Sequence, residues 1–97
     1  MSDQTEDLKK EIVTGRVLVK FYATWCGPCY AMEPIVTKVA VEHGTKLVSV
    51  DIDVEREIAE TFGVASVPTI VYMRDREEMA RAVGAMPKAK LEEALGL

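Results

Sequence analysis

The chain is poor in most of the residues that would mark a specialised protein. It holds one histidine, one tryptophan and two cysteines in 97 residues, and aromatic side chains make up only 6%. Its longest uncharged stretch, residues 61–73, has Pro68 inside it and is too short to span a bilayer. Residues 1–10 are polar and lack the apolar core of a signal peptide, so a cytoplasmic location is expected. Positive charge is scarce as well. Twelve Lys and Arg stand against sixteen Asp and Glu, and the net charge of −4 argues against nucleic-acid or anionic-membrane binding. There is no repeat, low-complexity segment or linker. With 48% hydrophobic and 29% charged residues, the chain is expected to form one globular domain over residues 1–97.

What the sequence does contain is a spacing. The two cysteines are Cys26 and Cys29, a separation that random placement of two residues gives about one time in fifty. A structural staple is a poor explanation, since so short a loop restrains the unfolded chain little and cytosolic thiols stay reduced. Zinc needs about four ligands, and His43 is the one histidine, so a site within one chain lacks donors. No metal is therefore expected, although a metal bridging two chains is an alternative. Two buried small side chains that happen to be close would be the inert reading. Redox chemistry fits best.

Hydrophobic periodicity predicts the order α-β-α-β-α-β-β-α. A short opening helix is expected over residues 3–13, and a buried central strand over 17–23 with Lys20 in its middle. A long helix follows over 25–43, with Pro34 as a kink inside it. Residues 47–53 read as a second strand and 55–62 as a short helix. Two antiparallel strands, 69–73 and 79–83, are joined by a hairpin, and an amphipathic helix over 88–95 closes the chain. Cys26 thus falls where a strand ends and a helix begins. Unpaired amides and the positive end of the helix dipole favour a thiolate there. Cys29 lies one turn in and is expected to be more enclosed. Cys26 would attack a substrate disulfide, and Cys29 would resolve the mixed disulfide. Gly27 gives close access, and Pro28 suits the first helical turn.

The stretch Val19-Lys20-Phe21-Tyr22-Ala23-Thr24-Trp25-Cys26-Gly27-Pro28-Cys29 resembles the active-site signature of the thioredoxin family. Pro34, Val67-Pro68-Thr69 and Val83-Gly84-Ala85 agree with it at suitable spacing. The resemblance implies an α/β thioredoxin fold with a mixed sheet flanked by helices on both faces. Only about sixteen residues precede the central strand, so the family's outer first strand is expected to be missing and the sheet to have four strands. The resemblance also implies reduction of disulfide-containing proteins by a monomer with no bound cofactor. The redox-active disulfide Cys26–Cys29 would be recharged by a separate electron donor such as thioredoxin reductase. It further implies a cis bond between Val67 and Pro68, with Pro68 against the disulfide. The substrate surface would comprise Trp25, Gly27, Pro28, Val67, Pro68, Val83 and Gly84. Asp53 matches an acid that holds the active-site tryptophan in the family, although it also reads as a helix N-terminal acid.

The chain departs from the family at several positions. Lys20 stands where thioredoxins usually carry a buried aspartate, and Ser49 where a lysine commonly partners that aspartate. Glu33 lies four residues after Cys29, on the same helix face, and a Lys20–Glu33 pair is expected. The alternative is a Lys20 that snorkels to solvent. A cation near the dithiol stabilises thiolate and would make the couple less reducing than an ordinary thioredoxin's. Tyr22 replaces a tryptophan and is expected in the core. Tyr30 makes the active-site rim less basic. Asp75 would supply the left-handed residue of the hairpin, since Arg76 occupies the usual glycine position. His43 would interact only with its helix dipole, and the acids over 51–60 would form a solvated face. A glutaredoxin-like enzyme drawing on glutathione and a non-catalytic thioredoxin-fold adaptor are the competing functions.

Overall fold

The computed structural model describes residues 8–12 and 14–97. A first helix, α1, covers residues 8–12; the rest of the expected opening helix, residues 3–7 and 13, lies outside the described residues. There follow β1 (Arg16–Tyr22), α2 (Gly27–His43), β2 (Lys46–Asp51), α3 (Arg56–Thr61), β3 (Thr69–Arg74), β4 (Glu77–Val83) and α4 (Lys88–Leu95).

The strands form one mixed sheet in the order β2-β1-β3-β4. β1 runs parallel to β2, which requires the crossover through α2, and antiparallel to β3. β3 and β4 make the antiparallel hairpin. Among the described residues no strand precedes β1.

Because strand side chains alternate, β1 contributes to two cores. Val17, Val19 and Phe21 face α1 and α3, where they meet Ile12, Ile58 and Ala59. Phe21 also packs on Phe62, with ring centroids 5.3 Å apart. Leu18 faces α2 and α4, where it meets Met32, Val36, Val39, Leu91 and Leu95. Both faces of the central strand are therefore covered, which explains why residues 17–21 all read as buried.

Several boundaries differ from the sequence reading for local reasons. α2 starts at Gly27 rather than at residue 25, because Cys26 has extended backbone and serves as its N-cap. The helix continues through Pro34, which has no N–H to offer the turn before it. β2 ends at Asp51, two residues early, because the N–H groups of Val54 and Glu55 both donate to the Asp51 carbonyl and turn the chain toward α3. The β3–β4 turn is tighter than expected. Asp75 (φ 47°) and Arg76 (φ 78°) are both left-handed, so Arg76 shares the conformation assigned to Asp75 alone. Two such residues in succession twist a hairpin in the sense the strands require.

Candidate active site

The disulfide is built by the end of a strand and the start of a helix. Leaving β1, the chain turns through residues 23–25, with the Cys26 N–H donating to the Ala23 carbonyl at 3.1 Å. The Cys26 sulfur accepts a hydrogen bond from the Cys29 N–H at 3.2 Å, so the side chain fills one of the four unpaired amide positions of α2. Cys26 and Cys29 are joined as a disulfide.

One expectation fails here. Cys26 is 4% exposed and Cys29 5%, so enclosure does not distinguish them in the disulfide form. The cover is tertiary. Ala23 is buried with the pair, and Tyr22, Ile52 and Val67, from three separate segments, pack against them. What does distinguish the two sulfurs is position, since Cys26 alone caps the helix. Tyr22 is half-buried beside the disulfide rather than enclosed in the main core.

Around this buried pair the structure places an exposed rim. Trp25 is 69% exposed, and its indole N–H donates to Asp53 Oδ2 at 2.9 Å. Asp53 is in turn oriented by its own backbone, whose N–H donates to Asp51 Oδ1 at 2.9 Å. These two acids therefore have structural partners and do not belong to a purely solvated face. Gly27 and Pro28 are exposed, Val67 is half-buried, and Pro68 is buried. The Val67–Pro68 bond is cis. Gly84 has φ 94°, a conformation suited to glycine, and its N–H donates to the Pro68 carbonyl at 2.9 Å. That bond ties the loop carrying Pro68 to the end of β4, beside exposed Val83. Arg81 steadies the same region by donating to the Phe62 carbonyl at 2.8 Å and gripping Glu78 with two nitrogens. Hydrogen bonding to Arg81 holds the Glu78 carboxyl below the usual carboxylate range.

Behind the disulfide lies a cleft of about 230 Å³ lined by Lys20, Tyr22, Ala23, Cys29, Tyr30, Glu33 and Ser49. Lys20 Nζ sits 3.4 Å from Glu33 Oε1 and 5.6 Å from the centroid of the Tyr22 ring. The lysine side chain is 6% exposed and the glutamate 60%. Tyr30 closes the rim by donating its hydroxyl to the Thr24 carbonyl at 2.8 Å. Ile52, which packs against the cluster of Ala23 and the two cysteines, was not singled out in the sequence. Its place follows from β1–β2 pairing, since its N–H continues the ladder to the Tyr22 carbonyl at 3.0 Å.

The far end of α2 is polar too, but its partners belong to another helix. His43 Nε2 lies 2.7 Å from Glu92 Oε2, and Lys88 Nζ lies 2.6 Å from Glu42 Oε1. His43 therefore does more than meet its helix dipole: it joins α2 to α4. Hydrogen bonding to His43 holds the Glu92 carboxyl below its ordinary range, and hydrogen bonding to Glu42 raises the Lys88 ammonium.

Among the described residues, no group of three or more His, Cys, Asp or Glu is placed to hold a metal ion, and no helix is long and apolar enough to cross a membrane. The chain matches the thioredoxin family model over residues 1–96. It is 37% identical over 89 residues to a thioredoxin of Listeria monocytogenes, covering 90% of this chain and 86% of that one. It is 38% identical over 90 residues to a thioredoxin of Bacillus subtilis, covering 91% and 86%. Mitochondrial thioredoxin 3 of Saccharomyces cerevisiae, in its oxidised form, superposes with a TM-score of 0.80 at 32% identity, covering 97% of this chain and 90% of that structure. Sheet order, disulfide position and sequence likeness agree, and the chain belongs to the thioredoxin family, as a thiol–disulfide oxidoreductase whose redox-active group is the Cys26–Cys29 disulfide.

Proposed function

We propose that the protein reduces disulfides of other proteins, with Cys26 as nucleophile and Cys29 as resolving thiol, and that a flavin-dependent thioredoxin reductase restores the dithiol. The observation that carries the assignment is the Cys26 sulfur at the N-cap of α2, accepting the Cys29 N–H. A sulfur there is stabilised as thiolate by the helix amides and dipole, which is what an attacking thiol needs.

The reaction balances in two exchanges. The Cys26 thiolate attacks one sulfur of the substrate disulfide, and the other substrate sulfur leaves as a thiolate. Cys29, deprotonated, then attacks the Cys26 sulfur, re-forming the internal disulfide and expelling the second substrate thiolate. Substrate would lie along the exposed rim of Trp25, Gly27 and Pro28, continued by Val67, Pro68, Val83 and Gly84. An extended chain held there by main-chain hydrogen bonds would leave side-chain identity loosely specified. The protein would work as a single-domain monomer in a reducing compartment such as the cytoplasm.

The test is a comparison of electron donors in an insulin-disulfide reduction assay. Turnover is expected with NADPH and a thioredoxin reductase, and little with glutathione. Preference for glutathione would replace this reading by the glutaredoxin-like one. No turnover with either would favour a non-catalytic adaptor.

A further inference from the structure

The least exposed cation described in this protein shares its cleft with Cys29, and the way it is paired is unequal. Lys20 comes from the middle of the central strand and is almost fully enclosed, whereas its partner Glu33 is mostly in solvent. Flanking Lys20 in the sheet are Ser49 on β2 and Ile70 on β3, neither of them charged. The titratable groups lining the cleft are Lys20 and Tyr22 from β1 and Cys29, Tyr30 and Glu33 from α2; β2 contributes uncharged Ser49. The Tyr22 ring, 5.6 Å away, offers the ammonium a π face and holds it within the cleft.

We propose that Lys20 exchanges its counter-ion with the redox state of the protein, pairing with Glu33 in the disulfide form and with the Cys29 thiolate once the disulfide opens. The proposal rests on the assignment of Cys29 as the sulfur that departs and returns. When a donor thiolate attacks Cys26, the S–S bond breaks and its electron pair leaves on Cys29 as a thiolate. When Cys29 resolves a mixed disulfide, it must again be a thiolate before its electron pair forms the new bond. In both directions a negative charge appears on the cleft wall that also carries Lys20. A buried ammonium needs an anion, because desolvation without compensation is costly. Glu33 can supply one at 3.4 Å and then relax into water at little cost, since it is already mostly solvated. Lys20 is thus a positioning residue acting through Cys29, and Glu33 sets how available it is.

The experiment titrates Cys29 as the single thiol of the Cys26→Ser protein, by ultraviolet thiolate absorbance against pH. Serine keeps the N-cap, so the helix start is preserved. Lys20→Met is expected to move thiolate formation to higher pH and Glu33→Gln to lower pH, each by roughly one pH unit. In the double variant the Glu33 effect should largely vanish, because it acts through the lysine. With both cysteines present, equilibration against glutathione buffers should show Lys20→Met favouring the disulfide and Glu33→Gln the dithiol, each by up to about tenfold in the equilibrium constant.

Movement of both single variants in the same direction, an unmoved titration in folded Glu33→Gln protein, or an undiminished Glu33 effect in the double variant would overturn the proposal. Glu33 is exposed, so its variant reports even where Lys20→Met is poorly folded. The titration does not depend on which cysteine attacks substrate. That assignment is tested separately by trapping a mixed disulfide, so failure of one is distinguishable from failure of the other.

Discussion

The two ends of α2 use the same materials for different purposes. At the C-terminal end, Glu42 and His43 meet Lys88 and Glu92, all four at the surface or half-buried and all between two helices. At the N-terminal end, Glu33 meets a lysine shut inside the fold beside a disulfide. Water and salt screen the first cluster, so it adds little beyond fixing where α4 lies. The second is screened on one side only, and any charge change on Cys29 must be answered nearby. Burial of the cation, rather than the number of ion pairs, is what sets the Lys20–Glu33 contact apart from the cluster at the other end.

The comparison can be broken at three strengths. The largest effect is expected from Cys29→Ser, which under the proposed roles leaves Cys26 without a resolving partner. Multiple turnover should be abolished and a mixed disulfide between Cys26 and substrate should accumulate, visible by non-reducing electrophoresis. Release of substrate at the wild-type rate would remove the distinction drawn between the two sulfurs. Next is Leu91→Ala, which empties a fully buried position where α4 packs against α2. A loss of about 2–5 kcal/mol in urea unfolding is expected. Reduction by the fraction that remains folded should continue, because no part of the disulfide rim is touched.

The smallest effect belongs to Glu92→Gln. Glu92 has a carboxyl lowered in the folded state, so its contribution is present above the ordinary carboxylate range and is lost as pH falls through the folded value. Lys88 is raised, so its contribution is present below the ordinary lysine range and fades as pH rises through the folded value. The difference in Tm between wild type and Glu92→Gln should therefore be largest near neutral pH and shrink in acid. A difference that grows in acid would contradict the described pairing.

Much of this was legible in the sequence where the signal is local. α4 could be placed at Lys88–Leu95 because Leu91 and Leu95 are four apart on one face. The central strand declared itself through a β-branched run that must be buried on both faces. Glu33 could be matched with Lys20 because helix spacing puts it on the Cys29 face. What stayed hidden needs contacts between distant segments. His43 finds Glu92 across 49 residues, and no spacing rule reaches that far. The near-equal burial of the two cysteines depends on Tyr22, Ile52 and Val67 arriving from different elements. Asp53 had two readings in the sequence, and the indole of Trp25, 28 residues away, decides between them. The double left-handed turn at Asp75 and Arg76 was half seen, since arginine carries no turn preference of its own.

The N-cap of α2 has a bearing on how the site wears out. One sulfur of the redox-active disulfide is also the cap of the helix, so a change at Cys26 affects both. Ordinary exchange keeps a sulfur acceptor in place and leaves the first turn intact. Irreversible oxidation of that sulfur would put bulky oxygens where one lone pair now meets the Cys29 amide. Such damage would loosen the start of α2 along with the loss of reactivity, and a spent molecule would carry a mark in its backbone that a working one lacks.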